Sequence, residues 1–140
     1  MTTVVDSNVI VAVWDRDDAL NPTAQSALDA ALVCGNLVVP APVYTELMAF
    51  AGRTESFLDS FFRQTSIAVD RSLEKRTWRT AGRAFQDYAT RRRKQRDPGP
   101  RRILADFLID AYAARNSYAL LTLDEGLDRT AFPALRIVTA

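Results

Sequence analysis

The chain has 140 residues, 48% hydrophobic and 25% charged, with 18 basic against 17 acidic side chains and a net charge of +1, which describes one domain of ordinary composition, residues 1–140, large enough to bury a core unaided. One cysteine, Cys34, excludes an internal disulfide, and the lack of histidine excludes Ser-His-Asp and Cys-His triads, histidine acid–base pairs and His/Cys zinc cages. Hydrolytic chemistry here must rest on carboxylates, hydroxyls or basic groups.

Met1-Thr2-Thr3 carries no basic leader or small-residue cleavage site, and no apolar run approaches the roughly 18 residues of a membrane span, so a cytoplasmic protein without membrane association is expected. Thr2 to Val5 is a short apolar run of strand character. Asn21 followed by Pro22 predicts an N-cap and first residue for a helix to about Cys34, ended by Gly35-Asn36. Leu37 to Val39 is a second strand. Pro42 opens a helix carrying Tyr44, Leu47, Met48 and Phe50 as far as Gly52. Thr54 caps the next, Glu55 to about Arg63, with Phe57, Leu58, Phe61 and Phe62 as its apolar stripe.

Ser66 to Val69 forms a third strand, and Asp70 is placed to cap a long helix in which Leu73, Thr77, Ala81, Phe85 and Tyr88 recur at helical spacing. Pro98-Gly99-Pro100 breaks it. A last apolar helix runs from about Arg101 to Arg115, before Asn116, and Tyr118 to Thr122 and Leu135 to Thr139 complete the strands. The runs lack clean alternation, as strands covered on both faces do, and their alternation with helices predicts an open, mainly parallel α/β sheet of four to five short strands.

Four acidic residues sit where solvation alone does not explain them. Asp6 ends the first strand, Glu46 lies in Val43-Tyr44-Thr45-Glu46-Leu47-Met48, Asp106 is embedded in Ile103-Leu104-Ala105-Asp106-Phe107-Leu108-Ile109, and Asp124 closes Leu120-Leu121-Thr122-Leu123-Asp124. In open α/β sheets ligands gather outside the carboxyl ends of the strands. Asp6, Glu46 and Asp124 belong on that edge, and Asp106 joins them if its helix begins there. Two carboxylates about 5 Å apart repel by roughly 3 kcal/mol at an effective dielectric of about 20, so such a cluster binds cations or protonates. All-oxygen ligands select hard divalent ions, Mg²⁺ or Mn²⁺, which bridge to phosphates. Each acid taken alone also has a plainer reading: Asp6 as the N-cap of the next helix, Glu46 as a helix-start carboxylate on the dipole, Asp124-Glu125-Gly126 as a turn. A lone Asp106 on a buried face is costly unless paired.

Residues 91–102 hold Arg91, Arg92, Arg93, Lys94, Arg96, Arg101 and Arg102 against Asp97, a net of +6, and leave the other 128 residues at −5. This places an electropositive segment just ahead of the Asp106 helix, where it draws a polyanion toward the carboxylates. A solvated helix end is the plainer alternative.

Val5-Asp6-Ser7-Asn8, Thr45-Glu46-Leu47, Ala105-Asp106-Phe107-Leu108-Ile109 and Leu121-Thr122-Leu123-Asp124, in this order and with the terminal Phe132-Pro133-Ala134-Leu135-Arg136-Ile137, resemble the PIN-domain nucleases, and more narrowly the VapC toxins of bacterial toxin–antitoxin operons. The resemblance spans essentially the whole chain. It implies a three-layer α/β/α PIN-like domain that binds Mg²⁺ or Mn²⁺ and hydrolyses RNA phosphodiester bonds by metal-activated water as an endoribonuclease. By motif match, Asp6, Asp106 and Asp124 would be metal ligands, Glu46 would orient or deprotonate the attacking water, and Ser7, Asn8 and Thr122 would hold the carboxylates. Arg91 to Lys94, Arg96, Arg101 and Arg102 would bind the RNA. A cognate antitoxin and a homodimer are the implied partners, with Trp14, Phe57, Phe61 and Phe62 as either an apolar groove for them or core.

One departure is Asp110, where relatives usually carry a small residue. It lies one turn after Asp106 and either enlarges the acidic cluster or pairs with Arg115 or Arg101. Two other classes compete with the nuclease reading. A phospho-acceptor receiver would need a lysine after the last strand, and only Lys75 and Lys94 exist. A degenerate PIN-like module for RNA or protein binding would lack motif acids, and all four are present.

Overall fold

The computed structural model describes residues 1–95, 102–124 and 130–139. Five parallel strands, β1 (Thr2–Val5), β2 (Asn36–Pro40), β3 (Ile67–Asp70), β4 (Ala119–Thr122) and β5 (Ile137–Thr139), form one sheet in the order β3-β2-β1-β4-β5. Helices α1 (Ser7–Trp14), α2 (Asn21–Cys34), α3 (Ala41–Leu47), α4 (Glu55–Thr65), α5 (Lys75–Lys94) and α6 (Leu104–Arg115) flank it. β1 lies at the centre, so the chain builds outward through β2 and β3 and then returns to build β4 and β5 on the other side. The carboxyl edge of β1 and β4 is therefore the topological switch point, the crevice where open α/β sheets bind ligands.

The two central strands are apolar because both their faces are covered. Val4 and Val5 pair with Leu120 and Leu121, and all four are fully buried. Val9 and Ile10 of α1, Leu28 of α2, Val43 and Leu47 of α3, Leu58 and Phe62 of α4 and Ile109 and Tyr112 of α6 pack into the same core. A second cluster joins Ala81 of α5 to Phe107 and Ala111 of α6 and to Phe132. Helix α6 is thus buried on two sides, which explains its apolar sequence. No helix among the described residues is long and apolar enough to cross a membrane.

The strands fall where their apolar runs predict, within two residues at each end, and local chemistry explains where helices differ. Asn21 is inside α2, not its cap, because its Nδ2 donates to the Ala12 and Val13 carbonyls (2.8 and 3.1 Å) and so closes the end of α1. The helix opened by Pro42 stops at Leu47, well short of Gly52. Asp70 ends β3; its carboxylate accepts from the Ser72 backbone and from the Tyr112 hydroxyl, and α5 starts later at Lys75. Thr54 caps α4 as expected, its Oγ1 accepting from Phe57 N at 3.1 Å. Gly35 is required by close approach: a Cβ there would lie 1.9 Å from the Met1 carbonyl oxygen, which accepts from Asn36 N beside it. The Pro98-Gly99-Pro100 break lies outside the described residues.

The aromatic side chains of α4 close on α1. Trp14 meets Phe57 and Phe61 edge-on at 5.6 and 5.4 Å, Phe62 is buried, and the Arg53 guanidinium sits over Trp14 and Phe57 at 4.5 and 4.3 Å. These residues are a half-buried extension of the core capped by a cation.

Candidate active site

Asp6 is delivered by the end of β1, its backbone N–H bonded to the Leu121 carbonyl of β4. It occupies the N-cap position of α1, yet its carboxylate makes no capping bond. Instead Asp6 Oδ2 accepts the Thr122 hydroxyl at 2.9 Å. The same hydroxyl oxygen accepts from Asn8 Nδ2 at 3.2 Å and from the Asp124 backbone N–H at 3.1 Å, while Asn8 Oδ1 accepts from Leu123 N. Thr122 is fully buried at the end of β4. Its hydroxyl is a hub that fixes Asp6, Asn8 and the backbone of Asp124 together.

Glu46 arrives on α3, in the last turn of a seven-residue helix and not at its start. The helix dipole does not favour a carboxylate there. Ser7 holds it, donating its hydroxyl to Glu46 Oε1 at 2.9 Å. Burial pushes the Glu46 carboxyl above its ordinary range; the Ser7 bond opposes the shift and the negative charge of Asp106 adds to it.

Asp106 lies in the first turn of α6, which begins at Leu104, three residues later than the sequence suggests. Asp106 Oδ2 accepts from the Ile103 backbone N–H at 3.2 Å, half of a capping box, since Ile103 has no side-chain acceptor to complete it. Burial raises this carboxyl as well; the Ile103 bond and Arg102 lower it, and Asp124 raises it. Glu46, Asp106 and Asp124 thus form an electrostatically coupled series.

Arg102 departs from an outward-facing role. Its Nη1 donates to Asp124 Oδ2 at 2.6 Å, and its backbone N–H donates to the Tyr88 hydroxyl of α5 at 2.7 Å. Tyr88 Oη also accepts from Arg92, and the ring packs on Phe107 at 5.3 Å. Nothing in the sequence marks Tyr88 as more than a member of the α5 core stripe. Arg91, Arg93 and Lys94 are exposed on the last turn of α5, whereas Arg96 and Arg101 lie outside the described residues. Asp110 is buried in α6, 1% exposed, and does not line the cleft.

A cleft of about 770 Å³ opens on this edge, walled by Ser7, Asn8, Glu46 and Asp124. Its rim carries Leu20, Phe50 and Ile103, each about half exposed, and Asp18, none of which the sequence marks as a site residue. Among the described residues no three acidic side chains meet as a ready cation cage. The donors nevertheless suit a hard divalent ion: they are carboxylate and hydroxyl oxygens, and Glu46 and Asp106 are raised partly by neighbouring negative charge that a cation would offset.

A parallel α/β sheet with carboxylates standing along its switch-point edge defines a class of acidic-site domains. The family model described as the PIN domain matches residues 3–133, and the chain belongs to that family. Among curated proteins none matches the sequence. Among solved structures the chain is similar to VapBC2 from Rickettsia felis bound to a DNA fragment from its promoter, with a TM-score of 0.70 and 15% identity over 100% of this chain and 99% of that one. It is also similar to VapBC-1 from nontypeable Haemophilus influenzae, with a TM-score of 0.65 and 16% identity over 99% and 98% of the two chains. VapC20 from Mycobacterium tuberculosis, a toxin that cleaves the sarcin–ricin loop, matches with a TM-score of 0.60 and 14% identity over 96% and 98%. At these identities the likeness establishes the fold.

Proposed function

We propose that this chain is a Mg²⁺- or Mn²⁺-dependent endoribonuclease of the VapC kind, acting in the cytoplasm, homodimeric and restrained by a cognate antitoxin. The observation that carries the reading is the bonding of Asp6 and Glu46 through Thr122 and Ser7 at the edge where Asp106 and Asp124 also stand, in a chain of the PIN family. The toxin–antitoxin complexes among the structural neighbours support the partner.

Asp6, Asp106 and Asp124 would hold the ion, which when bound supplies charge neutralisation at phosphate and lowers the pKa of water. The chain's own residues do the rest. Thr122 orients Asp6, and Asn8 keeps Thr122 in place by filling one of its lone pairs. Ser7 aims Glu46 across the cleft, leaving Glu46 Oε2 to take the proton of the attacking water. Burial suits Glu46 to that task, because a raised carboxyl is a stronger base than an exposed one. Arg102 covers Asp124 and would have to release it for Asp124 to serve as a ligand.

The test is cleavage of RNA by wild type and by Asp106→Asn in Mg²⁺, with the new ends mapped. Water attack leaves a 5′-phosphate and a 3′-hydroxyl, and Asp106→Asn abolishes cleavage while keeping the fold. A 2′,3′-cyclic phosphate, or undiminished cleavage by Asp106→Asn, overturns the reading.

A further inference from the structure

A second concavity, of about 530 Å³, lies away from the carboxylates, between the N-terminal half of α5 and the end of α6. Lys75, Arg76, Arg79, Arg83 and Arg115 line it, with Glu74 as its one acid. Glu74 is engaged by Arg76 at 3.1 Å, which leaves Lys75, Arg79, Arg83 and Arg115 as exposed cations around one hollow. Arg115 is the last residue of α6 and Asp106 the third, so the hollow sits roughly 13 Å along the helix from the acidic centre at 1.5 Å per residue.

Helical geometry gathers these charges. Lys75, Arg79 and Arg83 recur every four residues and share the outer face of α5, opposite Thr77 and Ala81, which are buried. Helix α5 carries eight basic residues and one acidic, Asp87. The outer face continues to Arg91 and Lys94, both exposed, near the point where Tyr88 of the same helix holds Arg102 at the cleft. Asp87, exposed and four residues beyond Arg83 on the same row, interrupts this face, so the basic residues form two groups on one helix, the hollow at 75–83 and the end at 91–94, about 12 Å apart at helical rise.

Trp78 stands beside the hollow, 47% exposed, with the Arg79 guanidinium 5.5 Å from its ring. The indole belongs to neither apolar core cluster among the described residues. Aromatic faces interleaved with cations are what single-stranded nucleic acid uses, phosphates on the cations and a base on the ring. An acidic protein segment would use the cations and leave the indole idle.

We propose that the α5–α6 hollow is a binding site for a single-stranded segment of nucleic acid, in which Lys75, Arg79, Arg83 and Arg115 hold backbone phosphates and Trp78 stacks an unpaired base. Resting on the nuclease reading, the ligand is a part of the substrate RNA remote from the bond cut, and the site selects substrates long enough to reach it.

Binding is measured by anisotropy of a labelled single-stranded RNA, without divalent cation so that no turnover intervenes, across a salt series, for wild type, Arg79→Gln/Arg83→Gln/Arg115→Gln, Trp78→Ala and Trp78→Phe. All four positions are exposed, and circular dichroism verifies the fold. The triple variant lowers the salt slope by about 2, near 0.7 for each lost contact. Trp78→Ala weakens binding roughly tenfold, and Trp78→Phe recovers most of it.

A slope and affinity unchanged in every variant overturn the site, as does wild type that does not bind RNA. Loss of slope in the triple variant with Trp78→Ala silent, and poly-glutamate competing as well as RNA, overturns it in favour of an acidic protein partner. Cleavage assayed in parallel separates the two proposals: binding that follows these variants in a protein that never cuts RNA sinks the nuclease and keeps the site, whereas cleavage with indifferent binding sinks only the site.

Discussion

The Thr122 hydroxyl is the most connected polar group at the carboxyl edge, and Thr122→Val removes it at almost constant volume. The bond it donates ends on a carboxylate and is worth about 1.5–3 kcal/mol. Asn8 Nδ2 and the Asp124 N–H lose their acceptor at the same time, and Thr122 is fully buried, so water cannot replace the hydroxyl cheaply. A total loss of about 3 kcal/mol is expected. At roughly 2.1 cal/mol/K per residue, a chain of 140 residues unfolds with about 0.3 kcal/mol/K of entropy, so the melting midpoint falls by about 10 °C. RNA cleavage falls about 10- to 100-fold below the new midpoint, because Asp6 loses the group that orients it. Thr122→Ser keeps the hydroxyl and retains most of the activity. Differential scanning calorimetry and a single-turnover cleavage assay read both effects. A Thr122→Val protein that melts and cuts like wild type refutes the hub.

Asp106→Asn has the opposite stability signature: without divalent cation it melts at or above the wild-type temperature, because burial and Asp124 both oppose the charge it removes. Folded Glu46 and Asp106 bind protons above the ordinary carboxylate range, so the native state is the more protonated one there. The metal-free protein therefore loses stability as pH rises through the raised values and regains it on acidification toward the ordinary carboxylate range, and Asp106→Asn flattens this trend. A thermal-shift series over pH tests it, and a wild type that gains stability as pH rises through that window contradicts it. Ser7→Ala removes the bond that favours ionised Glu46, so the acid limb of the kcat/KM profile moves to higher pH; an unmoved limb removes Glu46 as the base. Arg102→Gln frees Asp124 from a half-exposed ion pair, so Mn²⁺ binding by calorimetry tightens by no more than about fivefold. Weaker Mn²⁺ binding would instead show Arg102 to be supporting the site.

Apolar runs are short-range signals, and they located the strands because a strand buried on both faces has no room for polar residues. The run Thr2-Thr3-Val4-Val5 became β1 without adjustment. Helix boundaries were less accessible, since they depend on which distant group claims a capping side chain. Asn21 reads as an N-cap locally, but the Ala12 and Val13 carbonyls take its amide. Asp70 reads the same way until Tyr112, 42 residues on, claims its carboxylate.

The acidic residues of the site were visible for a related reason: each interrupts or ends an apolar run, where an unpaired charge is expensive. Their holders, Ser7, Asn8 and Thr122, were named only through the family resemblance, and which of them meets which carboxylate was not visible in any local pattern. Thr122 and Asp6 are 116 residues apart, and Ser7 and Glu46 are 39 apart, so the bonds that orient the carboxylates exist only once β1, β4 and α3 converge. Net charge in a linear window has the same blindness. It marks residues 91–102, yet Arg102 is spent on Asp124, while Lys75, Arg79 and Arg83 are diluted by the three residues between each pair and gather only on the face of a helix. A charge count over the sequence measures what the unfolded chain presents to an ion. What a polyanion meets is the remainder left after the fold has paired its own charges, and among the described residues much of that remainder lies along α5.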